Sequence, residues 1–355
     1  MKTRLITLFI SILFLAGTVA ASYGQEGHEA EAAAQHGETE EAFNASTFIM
    51  EHIADAHEWH LWTKKNGEHV AIYLPVILYS KEKGLDMFSS KKLAHGHTHE
   101  GYKLEEGAIV AVNEEGHPVE GASILDFSIT KTVVGLLFSC IVGLLLFLSL
   151  SRSYKKTGIS HPKGIQSFLE PIILFVRDDI AVSNIGQHKY EKYMPYLLTV
   201  FFFILLNNLM GLVPFPPPFG ANVTGNIAVT LVLALFTFFI TQFSGNRNYW
   251  RHIFATPGVP WWLLPVMIPV EIIGMFSKPF ALMIRLFANI TAGHIIVLSL
   301  VCLIFIFKSL AVAPVSILFV IFMDCLELLV AFLQAYVFTL LSALFISLAV
   351  VEEHH

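Results

Sequence analysis

The sequence predicts an all-α integral membrane protein of about five spans, with two long steeply tilted helices, an interfacial helix and a small β-containing N-terminal domain. Composition is the first reason: the 355 residues are 55% hydrophobic and 14% charged, where soluble domains are about a quarter charged. Clustering is the second, since apolar runs long enough to cross a bilayer recur from Phe127 onward. Length is the third. As a helix, residues 314–350 would extend about 55 Å and Ser277–Lys308 about 48 Å, against a hydrocarbon core of about 30 Å. Both must tilt to fit.

The chain opens with Lys2 and Arg4, an apolar run Leu5–Ala16 and the small residues GTVAAS. This pattern predicts a secretory signal peptide over residues 1–24. A first transmembrane helix is the alternative, but the run is short and a polar stretch follows. Residues 25–45 are acidic and Ala-rich, as in a flexible leader. Residues 46–126 read as a small exported domain, with HVAIYLPVILYS and AIVAV as strands between Gly- and charge-rich turns. Residues 127–355 form the membrane domain. Cys140, Cys302 and Cys325 all lie in apolar stretches and support no disulfide framework. A net charge of −6 spread over the chain argues against a nucleic-acid partner.

The first span is expected at 127–149, ending at the basic SRSYKK. The following loop carries Arg152, Lys155, Lys156, Lys163, Arg177, Lys189 and Lys192, which the positive-inside rule places in the cytoplasm. An exported N-terminus agrees with that side. Within the loop, IQSFLEPIILFVRDDIAV has helical apolar spacing with charges at its edges, the pattern of an interfacial helix. Spans 193–213 and 226–243 form a hairpin about the rigid PFPPPFGANVTG, returning to the basic GNRNYWRH. The segments 262–308 and 314–350, joined by a turn near Lys308–Ala313, complete five spans and leave the C-terminus cytoplasmic.

Polar groups inside these apolar segments are costly and usually functional. One long helix carries Glu271, Lys278, Arg285, Asn289 and His294; the other carries Asp324, Glu327 and Gln334. Counted from residue 311, Arg285 lies 26 back and His294 17 back, while Glu327 lies 16 forward and Gln334 23 forward. Antiparallel helices would therefore set His294 level with Glu327, and Arg285 near Gln334. Arg285 and Asn289 are one turn apart, and Ala288, Ala292 and Gly293 leave room for close approach. Asp324, Glu327, Ala331 and Gln334 follow one stripe. A His–carboxylate pair can relay protons once its environment tunes it, whereas an arginine stays charged and acts as a fixed barrier. The set points to ion conduction through two half-channels that do not join, with Glu271 on the cytoplasmic one. The blander readings are helix-packing hydrogen bonds, a structural ion pair, and snorkelling by Lys278 and Asp324.

Ser277-Lys-Pro-Phe-Ala-Leu-Met-Ile-Arg-Leu-Phe-Ala-Asn-Ile-Thr-Ala-Gly-His294 and Leu326-Glu-Leu-Leu-Val-Ala-Phe-Leu-Gln-Ala-Tyr-Val-Phe338 resemble the two helices that carry the signature of ATP synthase subunit a, of the F-type membrane sector. Asn208–Pro214 and Gly220–Asn226 resemble that family's external hairpin, so the match runs in order over 127–355. The resemblance implies a non-catalytic stator subunit that conducts protons (or Na⁺) to and from the carboxylates of a c-subunit ring. It implies a multi-pass protein of a bacterial inner membrane that needs no cofactor. Its partners would be the c-ring, b-type peripheral stalk subunits, the rest of the synthase and membrane lipid. Arg285 matches the arginine that faces the ring carboxylate, with Asn289 and Gln334 as its polar neighbours. His294 and Glu327 match the external half-channel in the exchanged, mitochondrial-like order, and Glu271 matches the cytoplasmic one.

The exported segment departs from the family's usually short N-terminus. It holds ten of the sixteen histidines, including HEWH (57–60) and HGHTH (95–99). Metal binding is one reading of such tracts, and a solvated face is the other. A secondary transporter would show paired interrupted halves, which the sequence lacks. A metal-dependent membrane enzyme would need these histidines within the spans.

Overall fold

A computed structural model describes residues 44–63, 69–81, 83–105, 107–113, 117–119, 124–157, 164–213, 216–254, 260–307, 309 and 311–350. The expected signal peptide, nearly all of the leader and Lys308 lie outside the described residues. The chain divides into two compact units. One comprises Met1–Val134, Pro214–Ala221 and His294–Cys325; the other comprises Gly135–Val213, Asn222–Gly293 and Leu326–His355.

In the first unit, helix α1 (Ala45–Ile53) precedes seven short strands. Strands β1 (Glu58–Thr63) and β2 (His69–Tyr73) form an antiparallel pair, with an irregularity between His60 and Trp62. Strands β3 (Pro75–Ser80) and β4 (Gly84–Ser89) form a hairpin, and a 3₁₀ turn at Ser90–Gly96 leads to the hairpin of β5 (Tyr102–Glu105) and β6 (Ala108–Ala111). Strand β7 (Ile124–Asp126) returns to pair with β3, giving the order β4-β3-β7. Val76, Leu78 and Phe88 on one face of that sheet pack with Leu93, Tyr102 and Ile109 into a small core. Tyr102 donates to Asp86 Oδ2 at 2.8 Å. Burial and the adjacent Asp86 carboxylate push the Tyr102 phenol up to about 12.

The stretch HVAIYLPVILYS, expected as one alternating run, is two strands in different sheets. The break falls where Pro75 has no N–H to donate and Leu74 N turns to His57 O at 3.1 Å. The first span also begins later than 127. Phe127 N donates to Ile77 O at 2.9 Å and Ile129 N to Pro75 O at 3.1 Å, so the chain stays hydrogen-bonded to β3 beyond the end of β7. Helix α2 (Lys131–Thr157) then starts under a borrowed cap. Asp55 accepts from Thr132 N at 3.0 Å and from the Thr130 hydroxyl at 2.7 Å, satisfying donors that a helix start leaves open.

The second unit is helical. Helix α3 (Ile165–Phe175) runs into a π-turn at Val176–Val182 and the short α4 (Ser183–Ile185), followed by α5 (Tyr190–Gly211), α6 (Ile227–Ser244) and α7 (Arg247–Phe254). Helices α8 (Leu264–Phe307) and α9 (Ala313–Val350) pass through both units. Among the described residues, α2, α5, α6, α8 and α9 are long and apolar enough to cross a membrane. At 44 and 38 residues, α8 and α9 extend about 66 and 57 Å and cannot stand upright in a bilayer. The α3–π segment is amphipathic as expected: Leu169, Val176 and Ile180 are buried, while Arg177 and Asp178 pair outside at 2.7 Å. The basic GNRNYWRH coils largely into α7, with Asn246 ahead of it.

Buried α5 residues Leu197, Phe201 and Ile204 lie at the heart of this unit with Leu282, Leu286, Ala335 and Ile346. The C-terminal turn of α9 borrows its partners from distant residues. Lys189 Nζ and Asn246 Nδ2 donate to Val350 O at 3.0 and 2.7 Å, and Asn246 N donates to Ala349 O at 2.9 Å. Ser347 Oγ in turn donates to Asn184 O at 2.5 Å.

Candidate ion-translocation site

Register between α8 and α9 is set by a glycine. A Cβ placed on Gly293 would lie 2.5 Å from Glu327 Oε1 and 3.2 Å from Glu327 Cγ. The carboxylate-bearing side chain therefore lies directly over the bare backbone of α8. Eight residues back from Gly293 is Arg285, and seven forward from Glu327 is Gln334. At about 1.5 Å per residue these steps are roughly 12 and 10.5 Å. In antiparallel helices they leave Arg285 and Gln334 almost level. Nearer the connecting turn, the Ser316 hydroxyl donates to Leu300 O, so the two helices lie side by side there as well.

The two helices present these groups on different faces. Gln334 is buried beside Ala331 and Ala335, whereas Arg285 and Asn289 are exposed. Around them Ala281, Ala288 and Ala292 are exposed too; of the three small residues expected to allow close approach within the chain, only Gly293 receives α9. The opposite side of α8 holds Leu282, Met283 and Leu286, all buried. Arg285 thus stands on an open stripe of small residues, and among the described residues it makes no hydrogen bond or ion pair. His294, next to Gly293, is half-buried, as are Glu327 and Asp324.

Asn208 joins this region in a way the sequence did not disclose. Its Nδ2 donates to Ala331 O at 3.2 Å, and its Oδ1 accepts from the Thr224 hydroxyl at 2.6 Å. Ala331 lies one turn from both Glu327 and Gln334. The interhelical turn after α5 is thereby tied to the polar stripe of α9. Two polar residues within the quoted hairpin motifs were the available signal, but their partner is more than a hundred positions away.

A second polar region lies beside Lys278. A cavity of about 20 Å³ is lined by Thr237, Thr241 and Gln242 of α6, Tyr249 of α7, and Met275, Lys278 and Pro279 of α8. That volume suits about one water. Gln242 and the Tyr249 hydroxyl are 3.2 Å apart. Burial raises the Tyr249 phenol above its ordinary range, and the negative field of Glu271 adds to this. Farther in, Thr237 Oγ1 lies 2.7 Å from the Tyr196 hydroxyl and 3.2 Å from Ser342 Oγ. Pro279 has no N–H to give the Met275 carbonyl, leaving that acceptor beside the cavity. Thr230, Thr237 and Thr241 recur at helical spacing in α6, a signal the sequence reading passed over.

Among the described residues no three His, Cys, Asp or Glu groups are placed to hold a metal. His57 and Asp126 meet at 3.3 Å, and His99 reaches Lys92 and Glu100.

Five membrane-length helices, the longest two carrying ionisable groups along their contact, define a polytopic membrane protein built around polar positions inside its spans. The family model described as ATP synthase A chain matches residues 134–347. ATP synthase subunit a of Chloroherpeton thalassium is 50% identical over 236 residues, covering 65% of this chain and 69% of that protein. ATP synthase subunit a 2 of Chlorobium luteolum is 52% identical over 236 residues, 64% and 67% of the two chains. The Myxococcus xanthus subunit a is 47% identical over 253 residues, 69% and 80%. The chain belongs to the ATP synthase subunit a family. It is a multi-pass membrane subunit of the F-type ATP synthase, serving proton transport and ATP synthesis as the channel-bearing stator of the F0 sector. Residues 48–127 separately match a family described as a domain of unknown function (DUF8433).

Proposed function

We propose that protons cross this subunit by two offset half-channels that meet a c-subunit ring at Arg285. The observation that carries the reading is the open stripe of small residues around Arg285, which is level with Gln334 and has no partner among the described residues. An arginine within a span costs at least about 2.5–3.5 kcal/mol, so its exposure is understandable only if a partner supplies a carboxylate. Ala281, Ala288 and Ala292 let that partner approach closely.

A proton enters past His294 and Glu327 and neutralises a ring carboxylate. That carboxylate then leaves the field of Arg285 and turns through lipid. At the far side it is drawn to Arg285 again, loses its proton, and the proton leaves past Glu271 by the water-sized cavity at Thr241, Gln242 and Tyr249. Arg285 itself keeps its charge throughout and blocks a direct leak between the two paths. Asn289 and Gln334 hold the polar surroundings of the guanidinium. The basic loop of residues 152–192 puts the Glu271 side in the cytoplasm and the N-terminal domain outside, in a bacterial inner membrane. The b-type stalk subunits then hold this stator against the ring. Each charge contributes about 2.3 kcal/mol per 100 mV, so several protons drive each ATP.

The test is Arg285→Ala in inverted membrane vesicles, with ATP-driven acidification, passive proton leak and complex assembly measured together. Loss of pumping in an assembled complex is expected. Pumping at the parental rate would reduce Arg285 to a structural charge.

A further inference from the structure

The sheet β4-β3-β7 has a second face that no other described residue covers. Its inner face is spent on the core with Tyr102 and Ile109. The outward positions Tyr79, Leu85, Met87, Leu125 and Phe127 are 44%, 62%, 65%, 54% and 62% exposed. They form rows across the sheet. Leu85 and Leu125 flank Tyr79, and Met87 pairs with Ile77, whose carbonyl holds the Phe127 amide. Every outward position on the three paired segments, from Pro75 to Ile129, is uncharged. An antiparallel sheet with one solvated face ordinarily alternates apolar and polar residues; here the outward positions are largely apolar as well.

Its position says what it meets. The strand that carries Leu125 and Phe127 stays hydrogen-bonded to β3 as far as Ile129, and the membrane helix α2 begins at Lys131 with Asp55 already bound to its first turn. No slack linker separates the sheet from the span. At about 3.4 Å per extended residue, Phe127 is held within roughly 15 Å of the start of the membrane helix. Protein–protein interfaces are depleted in lysine, whereas here the apolar rows end at exposed lysines, Lys81 and Lys91, at opposite ends of the β3–β4 hairpin. Apolar and aromatic side chains bounded by lysine are the surface that settles at the headgroup–acyl boundary.

We propose that the outward face of the β4-β3-β7 sheet rests on the lipid headgroup layer beside the first span, making the N-terminal domain a membrane-seated collar rather than a free appendage. The three rows then lie at similar depth, with β3 along the bilayer surface.

The full synthase, with Cys140, Cys302 and Cys325 replaced, is labelled with an environment-sensitive fluorophore at Leu85→Cys, Met87→Cys or Leu125→Cys and reconstituted in vesicles. Ala108→Cys, exposed on the hairpin that covers the inner face, is the water-facing reference. Lipids carrying a nitroxide near the headgroup should quench the three sheet labels severalfold more than the reference, while aqueous iodide should do the reverse. Iodide access equal to that of the reference would overturn the proposal. Protection from both quenchers would overturn it as well, since protein would then cover the face. Intact ATP-driven pumping in the labelled complexes certifies assembly, so the outcome does not depend on the half-channel assignment.

Discussion

Gly293→Ala separates position from presence at the α8–α9 contact. The added methyl would sit 2.5 Å from Glu327 Oε1, and an ordinary contact begins near 3.4 Å. The carboxylate must therefore retreat by about 0.9 Å, while its Cγ, at 3.2 Å, has to give only slightly. Retreat costs about 0.5–1.5 kcal/mol if the side chain is pushed off its rotamer. Replacing a mid-helix glycine by alanine returns about 1 kcal/mol. The two nearly cancel, so the complex should assemble with its thermal midpoint unchanged. The proton transfer proposed for Glu327 should not survive so well, since misplacement by about 1 Å can cost on the order of a hundredfold. Proton uptake by vesicles, measured as dye quenching under ATP or an imposed potential, should fall roughly ten- to a hundredfold with every charged group still in place. Parental flux in Gly293→Ala would refute the idea that Glu327 works from this position. A collapse of assembly would refute the energy balance.

Two further substitutions probe the scaffold. Asn208→Leu keeps the side-chain volume but strands the Thr224 hydroxyl and removes the bond to Ala331 O, so the purified complex should lose about 1–3 kcal/mol, read from its denaturation midpoint. Asp55→Ala should cost about 0.5–2 kcal/mol as a lost helix cap and release the amides at 131–134 to hydrogen exchange. Asp55→Asn should keep most of that protection.

The spans were legible because length and apolar clustering act over tens of residues, and neither depends on what the helices touch. The ends of α8 and α9 fell within two residues of expectation for that reason. The start of α2 did not, because the hydrogen bonds of Phe127 and Ile129 to β3 outcompete local helix preference. Four of the seven strands escaped notice, their short segments having little alternation to display. At the site, depth counting from the turn anticipated that Arg285 and Gln334 are level. It could not give rotation about the helix axis, which leaves Arg285 on the open side and Gln334 inside. The Asn208–Ala331 bond and the α6 threonines were hidden for a related reason: each is an ordinary polar residue until a distant helix supplies its partner.

The far end of α9 is fastened by Lys189 and Asn246, from two separate interhelical connections, and by Asn184 of α4. On the function proposed above, α9 carries Glu327 and Gln334 beside a turning rotor and feels a sideways drag at every step. Free at its tip, it could creep along its own axis and let the proton-handling groups slip out of phase with the rotor. Clamped there, it behaves as a stiff beam anchored beyond the load, and the drag reaches the rest of the stator as torque instead of being lost as bending.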